Sequence, residues 1–140
     1  MKEAFRILEE GCRALGISLS DKQTARFAQY YDLLIEWNSF MNLTGITELS
    51  EVLRKHFVDS LALVKFMEPR KGCRILDVGT GAGFPGIPLK IAFPETKYPP
   101  SFTYGTQYSA KRARFATALD TTKSKASLYS LSLAKSSALP

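Results

Sequence analysis

The sequence predicts an α/β fold in which a helical N-terminal region leads into the first strand, turn and helix of a parallel sheet. Two observations predict this fold. Residues 1–66 carry apolar side chains at the three- and four-residue spacing of amphipathic helices. Residues 73–93 then run from a short apolar stretch through four glycines into a second apolar stretch that opens with two prolines, a pattern typical of a strand, a turn and a helix.

The helical region begins with two amphipathic helices. Apolar side chains recur every three or four residues until Gly16 interrupts them, which predicts a first helix over residues 2–15. Ser20 and Gln23 have the spacing of a capping box, in which each side chain bonds the backbone N–H of the other residue. An apolar face follows, so we expect the second helix at residues 21–38.

A third helix completes this region. Thr47 can accept a hydrogen bond from a free N–H group in the first turn of a helix, so we expect the third helix to start there and to end near Phe66. Its buried face is predicted to comprise Val52, Phe57, Leu61 and Val64. A linker that contains proline and glycine follows, which gives the N-terminal helical region the bounds 1–70.

A strand, a turn and a helix come next. The apolar stretch before the glycines predicts a strand at residues 73–78, the glycines predict a loop at 79–84, and Pro85 predicts a helix start, where the missing N–H of proline costs little. Glycine has no Cβ, so it can take positive φ and let a ligand approach the backbone closely. Residues 71–96 therefore predict a binding site for a nucleotide-like ligand.

Two ligand classes use such a turn. Residues 81–86 match the dinucleotide pattern G-x-G-x-x-G, but no acidic residue lies between Glu95 and Asp120, where one is needed to bind the ribose. The other interpretation places Asp77 shortly before the first glycine, Gly79. This arrangement resembles the first motif of class I methyltransferases, which bind S-adenosylmethionine, and the resemblance implies that the acid supports the loop and the methionine part of the ligand.

The flanking residues resemble one family within that superfamily. They form three motifs in order, Trp37-Asn38-x-x-Met41-Asn42-Leu43-Thr44, His56-x-x-Asp59-Ser60-Leu61 and Asp77-Val-Gly-x-Gly-x-Gly-x-Pro85-Gly86-Ile87-Pro88. Residues 1–96 thereby resemble the bacterial small-subunit rRNA methyltransferase G family, also called glucose-inhibited division protein B. The resemblance implies the start of a Rossmann-like class I methyltransferase domain, and a cytoplasmic enzyme that methylates a guanine N7 of 16S rRNA with S-adenosylmethionine.

The resemblance also implies roles for residues of the glycine turn. Gly79 would pass beneath the cofactor, and Phe84 or its backbone would line the pocket. Three residues would support the loop, namely Asp77, Gly81 and Gly83. Guanine N7 already has a lone pair and no proton, so the enzyme would mainly align N7 with the methyl group, and no catalytic residue is assigned.

Four polar residues outside the turn are candidates for binding the RNA substrate, namely Asn42, Thr44, His56 and Asp59. Each has a structural alternative. Asn42 and Thr44 can bond the backbone of their own turn, whereas His56 and Asp59 lie three residues apart on a helix and can pair with each other. Trp37 lies on an apolar face, so we assign it to the core rather than to base stacking.

Composition predicts a cytoplasmic protein. Cys12 and Cys73 are expected to be free thiols rather than a disulfide or a metal pair. The single histidine cannot complete a metal site, and the sequence has neither a charged-then-apolar leader nor an apolar run long enough to cross a membrane. We therefore expect a monomer whose partner is 16S rRNA or a small-subunit assembly intermediate, with no metal and no membrane.

Residues 97–140 differ from the rest of the chain. The net charge is zero over residues 1–96, so the whole excess of +6 comes from this basic tail. The tail contains no valine or isoleucine, whereas 13 of its 44 residues are serine or threonine. Strands of a parallel sheet are rich in branched aliphatic residues, so we expect a divergent and poorly ordered tail after a truncation or frame shift near residue 97. A divergent but ordered second half is the alternative.

Three classes of function follow from these patterns. The first is an S-adenosylmethionine-dependent methyltransferase acting on guanine N7 of 16S rRNA, with little or no activity in this chain because the rest of the sheet is missing. The second is a non-catalytic RNA-binding fragment whose basic tail binds RNA without sequence preference. The third is a dinucleotide-binding oxidoreductase, against which the missing ribose acid counts.

Overall fold

The computed structural model describes residues 2–75, 77 and 81–97. Four helical segments pack around one apolar core in this part of the chain. Their bounds are α1 at Lys2–Ala14, α2 at Asp21–Met41, α3 at residues 49–65 and α4 at Gly86–Ala92. Within α3, α-helical turns at Leu49–Val52 and Asp59–Leu61 alternate with a π-helical stretch at Leu53–Val58 and a 3₁₀ turn at Ala62–Lys65.

Helices α1 and α2 confirm the predicted N-terminal helices. The capping box at Ser20 is present, because its side chain accepts from the Gln23 N–H and the Gln23 side chain accepts from the Ser20 N–H. The second helix continues three residues beyond the predicted end at residue 38. It stops at Met41 because Asn42 takes a left-handed conformation with φ of 51°, which asparagine tolerates better than most residues.

The start and the buried face of α3 correct the prediction. Glu48, not Thr47, caps the helix, since its carboxylate accepts from the backbone N–H groups of Ser50 and Glu51. The backbone carbonyl of Thr47 instead accepts a hydrogen bond from the Tyr31 hydroxyl at 3.0 Å. The carboxylate of Glu48 therefore takes the capping role that was predicted for Thr47.

The buried face of α3 also differs from the predicted one. Val52, Phe57 and Leu61 are fully buried as expected, but Leu53 is fully buried too, and Val64 is half-buried. Leu53 lies four residues before Phe57, so regular helical spacing already places it on this face. Val64 instead follows the π-helical turn, which takes more residues than an α-helical turn and shifts the phase of the side chains after it. A prediction based on regular α-helical spacing could not include this shift.

An aromatic cluster in the core connects the helices. The rings of Tyr30 and Phe57 stack with centroids 5.0 Å apart, and Phe27 packs against Phe57 at 5.1 Å. All three side chains are fully buried. The Tyr30 hydroxyl finds its hydrogen-bond partner in the carbonyl of Ala82, at 2.9 Å. The core of the helical region is therefore bonded directly to the turn that follows residue 77.

The described part of the sheet consists of one parallel pairing around Arg74 and Lys97. The Ile75 N–H donates to the Lys97 carbonyl at 2.9 Å, and the Lys97 N–H donates to the Cys73 carbonyl at 2.7 Å. Because α4 lies between the two paired segments, the chain forms the beginning of a β–α–β crossover. Of the predicted strand 73–78, residues 76 and 78 lie outside the described part, as does the tail after Lys97.

Helix α4 begins one residue after the predicted start at Pro85 and ends one residue before Phe93. The end of the helix is tied to the N-terminus of α2 by Gln23. The side-chain nitrogen Nε2 of Gln23 donates to the carbonyls of Ile91 and Ala92 at 3.0 and 2.8 Å. Carbonyls at the end of a helix have no partner within the helix, so Gln23 supplies one. Gln23 therefore connects the helical region to the crossover.

Both cysteines are free thiols, as predicted. Cys12 is buried in the core and Cys73 is half-buried beside the parallel pairing. Burial raises the pKa of the Cys12 thiol to about 11. Among the described helices, none is long and apolar enough to cross a membrane. Residues 2–75, 77 and 81–97 likewise contain no group of three or more histidine, cysteine or acidic side chains arranged to hold a metal ion.

Candidate functional site

The turn before α4 contains two glycines with positive φ. Gly81 has φ of 59°, and apart from its chain neighbours no atom of the described residues lies within 4 Å of the position that a Cβ would occupy. Gly83 has φ of 103°, and a Cβ there would overlap the Ile87 side chain and come within 3.2 Å of the Tyr30 hydroxyl oxygen. Gly81 therefore presents bare backbone to open space, whereas Gly83 allows the turn to pack against the core. Gly79 lies outside the described residues.

Asp77 closes the turn. Its carboxylate is buried, and Oδ2 accepts a hydrogen bond of 2.9 Å from the backbone N–H of Gly86, the first residue of α4. Burial raises the pKa of this carboxyl group above its usual value, and the hydrogen bond from Gly86 acts in the opposite direction. The bond spans nine residues, so it fixes the end of the strand segment relative to the start of the helix.

Phe84 lies between the turn and the helical region. Its half-buried ring stacks on the imidazole of His56 with centroids 4.5 Å apart and planes inclined by 20°. Tyr30 and Phe57 contact the ring at tilted angles, with centroids 5.6 and 6.1 Å away. The Phe84 side chain is thus held by aromatic residues of α2 and α3.

His56 in turn contacts the loop between α2 and α3. Its Nε2 lies 2.8 Å from the Thr44 hydroxyl oxygen. Burial is the main influence on the His56 pKa and lowers it, while a backbone hydrogen bond with Lys55 and the charge of Asp59 act to raise it. The structure therefore favours a neutral imidazole at this position.

Among the four predicted substrate residues, a hydrogen bond joins one pair. Thr44 and His56 are brought together, but Asn42 is an exposed residue at the end of α2 and Asp59 is exposed on α3. The alternative in which His56 pairs with Asp59 is not the arrangement seen, because no hydrogen bond or ion pair joins these two described residues, while Nε2 of His56 bonds Thr44. Trp37 is half-buried and packs against Phe40 at 5.3 Å, as expected for a residue at the edge of the core.

A cleft of about 420 Å³ opens beside Phe84. The other residues that line it are Asp59, Ser60, Ala62, Leu63, Phe66 and Pro85. Phe66 is 88% exposed, which is unusual for a large apolar side chain. The cleft thus combines an apolar lining and an exposed aromatic ring with one carboxylate, that of Asp59.

Two residues of this arrangement were not predicted as part of the site. Tyr30 bonds Ala82 in the turn, and Asn38 accepts the Thr44 N–H on its side-chain oxygen at 2.8 Å. A tyrosine on a buried helix face is a signal for the first contact, because a buried hydroxyl needs a partner. The contact of Asn38 depends on where the following loop folds back, and sequence spacing does not determine that.

Comparison with known proteins identifies the family that this chain resembles. The family model described as rRNA small subunit methyltransferase G matches residues 23–124, which is more than half of the chain. This match extends beyond residue 96, where the resemblance based on motifs ended.

Individual relatives agree with the family match. A protein named ribosomal RNA small subunit methyltransferase G from Lachnoclostridium phytofermentans is 62% identical over 86 residues, which cover 61% of this chain and 36% of the relative. Proteins of the same name from Caldanaerobacter subterraneus subsp. tengcongensis and Alkaliphilus metalliredigens are each 50% identical, over 67% and 68% of this chain and 39% and 40% of their own lengths. The chain therefore spans about two fifths of the length of these relatives.

The glycine turn, the Asp77 contact and the crossover at Lys97 are thus found in a chain that matches one family model over most of its length. The chain belongs to the rRNA small subunit methyltransferase G family.

Proposed function

We propose that this chain is an S-adenosylmethionine-dependent methyltransferase that acts on guanine N7 of 16S rRNA, and that its 140 residues alone have little or no activity. The observation that carries the proposal is the turn itself. Gly81 exposes its backbone in a left-handed conformation, and the turn is closed by the bond between Asp77 and Gly86. The names of the relatives, which are rRNA methyltransferases, support the reaction class.

The residues present fit the proposed cofactor. The open space above Gly81 leaves room for a ligand that a β-carbon would obstruct. Asp77 and Gly83 give the turn a fixed shape from inside, because each is buried and in contact with α4. In this proposal Gly79 and Phe84 contact the cofactor, and Asp77, Gly81 and Gly83 support the loop.

The chemistry needs little from the protein beyond positioning. The cofactor supplies a methyl group on a positively charged sulfur, and guanine N7 has an unshared electron pair that can attack it. No general base is required, because N7 loses no proton. The chain would contribute by holding the turn and by orienting the base, an effect that can lower a barrier by several kcal/mol.

We place the target base in the cleft beside Phe84. Guanine carries N–H donors on its N1 and exocyclic amine, on the side of the base opposite N7, and the Asp59 carboxylate can accept from such donors. The exposed ring of Phe66 offers a stacking surface of the kind that binds unpaired bases. Among the four predicted substrate residues, Asp59 is therefore the one proposed to touch the base.

The proposed partner is 16S rRNA or a small-subunit assembly intermediate, in the cytoplasm, with the protein acting as a monomer. An unpaired guanine is needed, because a base inside a duplex cannot enter a cleft without being extruded. The basic residues of the tail would add affinity that does not depend on RNA sequence.

A matched pair of glycine variants tests cofactor binding. Gly81→Val places a branched side chain in the open space of the turn, whereas Gly16→Val imposes the same backbone strain at a remote turn, where φ is 73° and the space is equally open. We expect Gly81→Val to abolish the binding of S-adenosylmethionine in isothermal titration and Gly16→Val to retain it. Equal affinities for the two variants would contradict the assignment of the turn.

The reaction is tested by methyl transfer to unmodified 16S rRNA. The chain is incubated with the RNA and isotopically labelled S-adenosylmethionine, and the RNA is then digested to nucleosides for mass spectrometry. We expect any label transferred by the chain to appear in 7-methylguanosine and to disappear with Gly81→Val. Label in another nucleoside would sink the guanine-N7 assignment.

A further inference from the structure

We propose that Thr44 and His56 form a positioning pair that holds Phe84, and through it the glycine turn, rather than a contact surface for RNA. The proposal rests on the proposed function in one respect, namely that the turn is the cofactor site. It changes the role of two residues that the sequence pattern presented as candidates for binding substrate. Neither residue would touch the reacting atoms.

The first step is the hydrogen bonding of Thr44. Its N–H donates to the side-chain oxygen of Asn38 at 2.8 Å, and its hydroxyl oxygen accepts from the Ile46 N–H at 3.0 Å. The hydroxyl proton is then free to donate to Nε2 of His56 at 2.8 Å. Thr44 thus uses its backbone and its side chain within the protein, which leaves it poorly suited to bind a substrate.

The second step is the state of the imidazole. If Nε2 accepts from Thr44, the proton of the neutral ring must lie on Nδ1, so the hydrogen bond selects both the tautomer and the plane of the ring. The same plane is the one on which Phe84 stacks, with 4.5 Å between centroids. The Thr44 bond therefore determines how the surface beneath Phe84 is oriented.

The third step connects Phe84 to the turn. Phe84 follows Gly83, where there is no room for a Cβ, and it comes two residues before Gly86, whose N–H is held by Asp77. A displacement of the ring must therefore move a backbone that is fixed on both sides. The position of the Phe84 ring and the conformation of the turn backbone are therefore coupled.

Two variants remove the pair in different ways. Thr44→Val keeps the shape of the side chain but removes the hydroxyl, and His56→Phe keeps a ring for stacking but removes the nitrogen that bonds Thr44. Thr44→Ser restores the hydroxyl and should behave as the wild type. Thr47→Val is the matched control, because Thr47 lies in the same loop with an exposed side chain, and its contact with Tyr31 uses only its backbone carbonyl.

The decisive readout needs no ligand. In ¹H–¹⁵N spectra of the full chain, we expect Thr44→Val and His56→Phe to shift the backbone amide signals of Gly81, Gly83 and Gly86 and to speed hydrogen exchange at Gly86. Thr44→Ser and Thr47→Val should leave these signals in place. Unchanged turn amides in both Thr44→Val and His56→Phe would overturn the proposal, even if RNA affinity fell, since that result would indicate an RNA contact.

Cofactor affinity separates this proposal from the proposed function. We expect the dissociation constant for S-adenosylmethionine to rise about tenfold in Thr44→Val and in His56→Phe, the effect of losing one good hydrogen bond, with no further rise in the double variant. An unchanged affinity in both variants would overturn the positioning role. If the wild type itself bound no S-adenosylmethionine while the turn amides still shifted, the proposed function would fail and the positioning of the turn would stand.

Discussion

At the residue scale, two glycines of one turn have different physical tasks. Gly81 and Gly83 both have positive φ, but the Cβ position is open at Gly81 and overlaps Ile87 at Gly83. We expect Gly81→Ala to lower the free energy of unfolding by about 1–2 kcal/mol, the cost of a left-handed residue. Gly83→Ala should lose about 1–3 kcal/mol more through overpacking. Urea unfolding measures both, and equal losses would contradict the packing role of Gly83.

The buried carboxylate of Asp77 gives a prediction with a definite sign. Burial raises its pKa from the usual 3.8, so its contribution to stability is full below pH 3.8 and is lost as the pH rises through the folded-state pKa. Asp77→Asn keeps an oxygen that can accept from Gly86 and removes the buried charge. We expect this variant to melt at a higher temperature than the wild type at pH 7.

The advantage of Asp77→Asn should shrink as the pH falls toward 3.8, because the wild-type carboxyl is then neutral as well. Asp59→Asn is the control, since Asp59 is exposed on α3 and its charge is hydrated. A lower melting temperature for Asp77→Asn at pH 7 would show that the hydrogen bond to Gly86 requires the charged form.

His56 is the single histidine of the chain, so its titration can be followed without assignment. Burial lowers its pKa from 6.5, which means that its contribution to stability is present above pH 6.5 and is lost as the pH falls through the lower folded value. We expect an NMR titration to give a pKa below 6.5 for the folded chain and about 6.5 in urea. A folded value at or above 6.5 would contradict the neutral, stacked ring.

At the scale of elements, Gln23 links the start of α2 to the end of α4. Its side-chain oxygen accepts from the Ser20 N–H, and its side-chain nitrogen donates to the carbonyls of Ile91 and Ala92. Gln23→Ala should therefore cost about 1–2 kcal/mol of unfolding free energy, more than the loss of a cap on an isolated helix. Lys22→Ala, an exposed neighbour in the same turn, should change little. Similar effects for the two variants in thermal unfolding would show that the link does not stabilise the fold.

The elements that local patterns specify were predicted well. The capping box at Ser20 and the proline at residue 85 placed two helix starts to within a residue, because each depends on neighbours in sequence. The cap at Glu48 was missed, since threonine is the stronger cap by type and the preference for Glu48 depends on the loop geometry. The π-helical stretch in α3 was missed for a similar reason, as it has no simple residue pattern.

The candidate site shows the same division. The positions of the glycine turn and of Asp77 before α4 could be predicted because few other structures place these residue types at a strand-to-helix junction, and their role in cofactor binding stays a prediction. The contact between Thr44 and His56 joins residues twelve positions apart, and the stacking of His56 on Phe84 joins α3 to the turn. Such pairings depend on how helices pack, so the sequence supplied the candidates but not their grouping.

At the scale of the whole molecule, the helical region packs against the glycine turn and holds it in place. Tyr30, Phe57 and His56 contact Phe84 or the turn from α2 and α3, while the crossover begins with the parallel pairing at Arg74 and Lys97. The chain spans about two fifths of its relatives' length. In our proposal the described residues hold one side of the cofactor site. Cofactor binding by this side is the central claim.

The most direct test is isothermal titration of the 140-residue chain with S-adenosylmethionine and, separately, with NAD. We expect S-adenosylmethionine to bind with a dissociation constant in the micromolar range and NAD to give no heat of binding. The expectation follows from the turn, which Asp77 closes, and from the absence of an acidic residue between Glu95 and Asp120, where a dinucleotide ribose needs one. Binding of NAD, or the absence of any binding of S-adenosylmethionine, would contradict the claim.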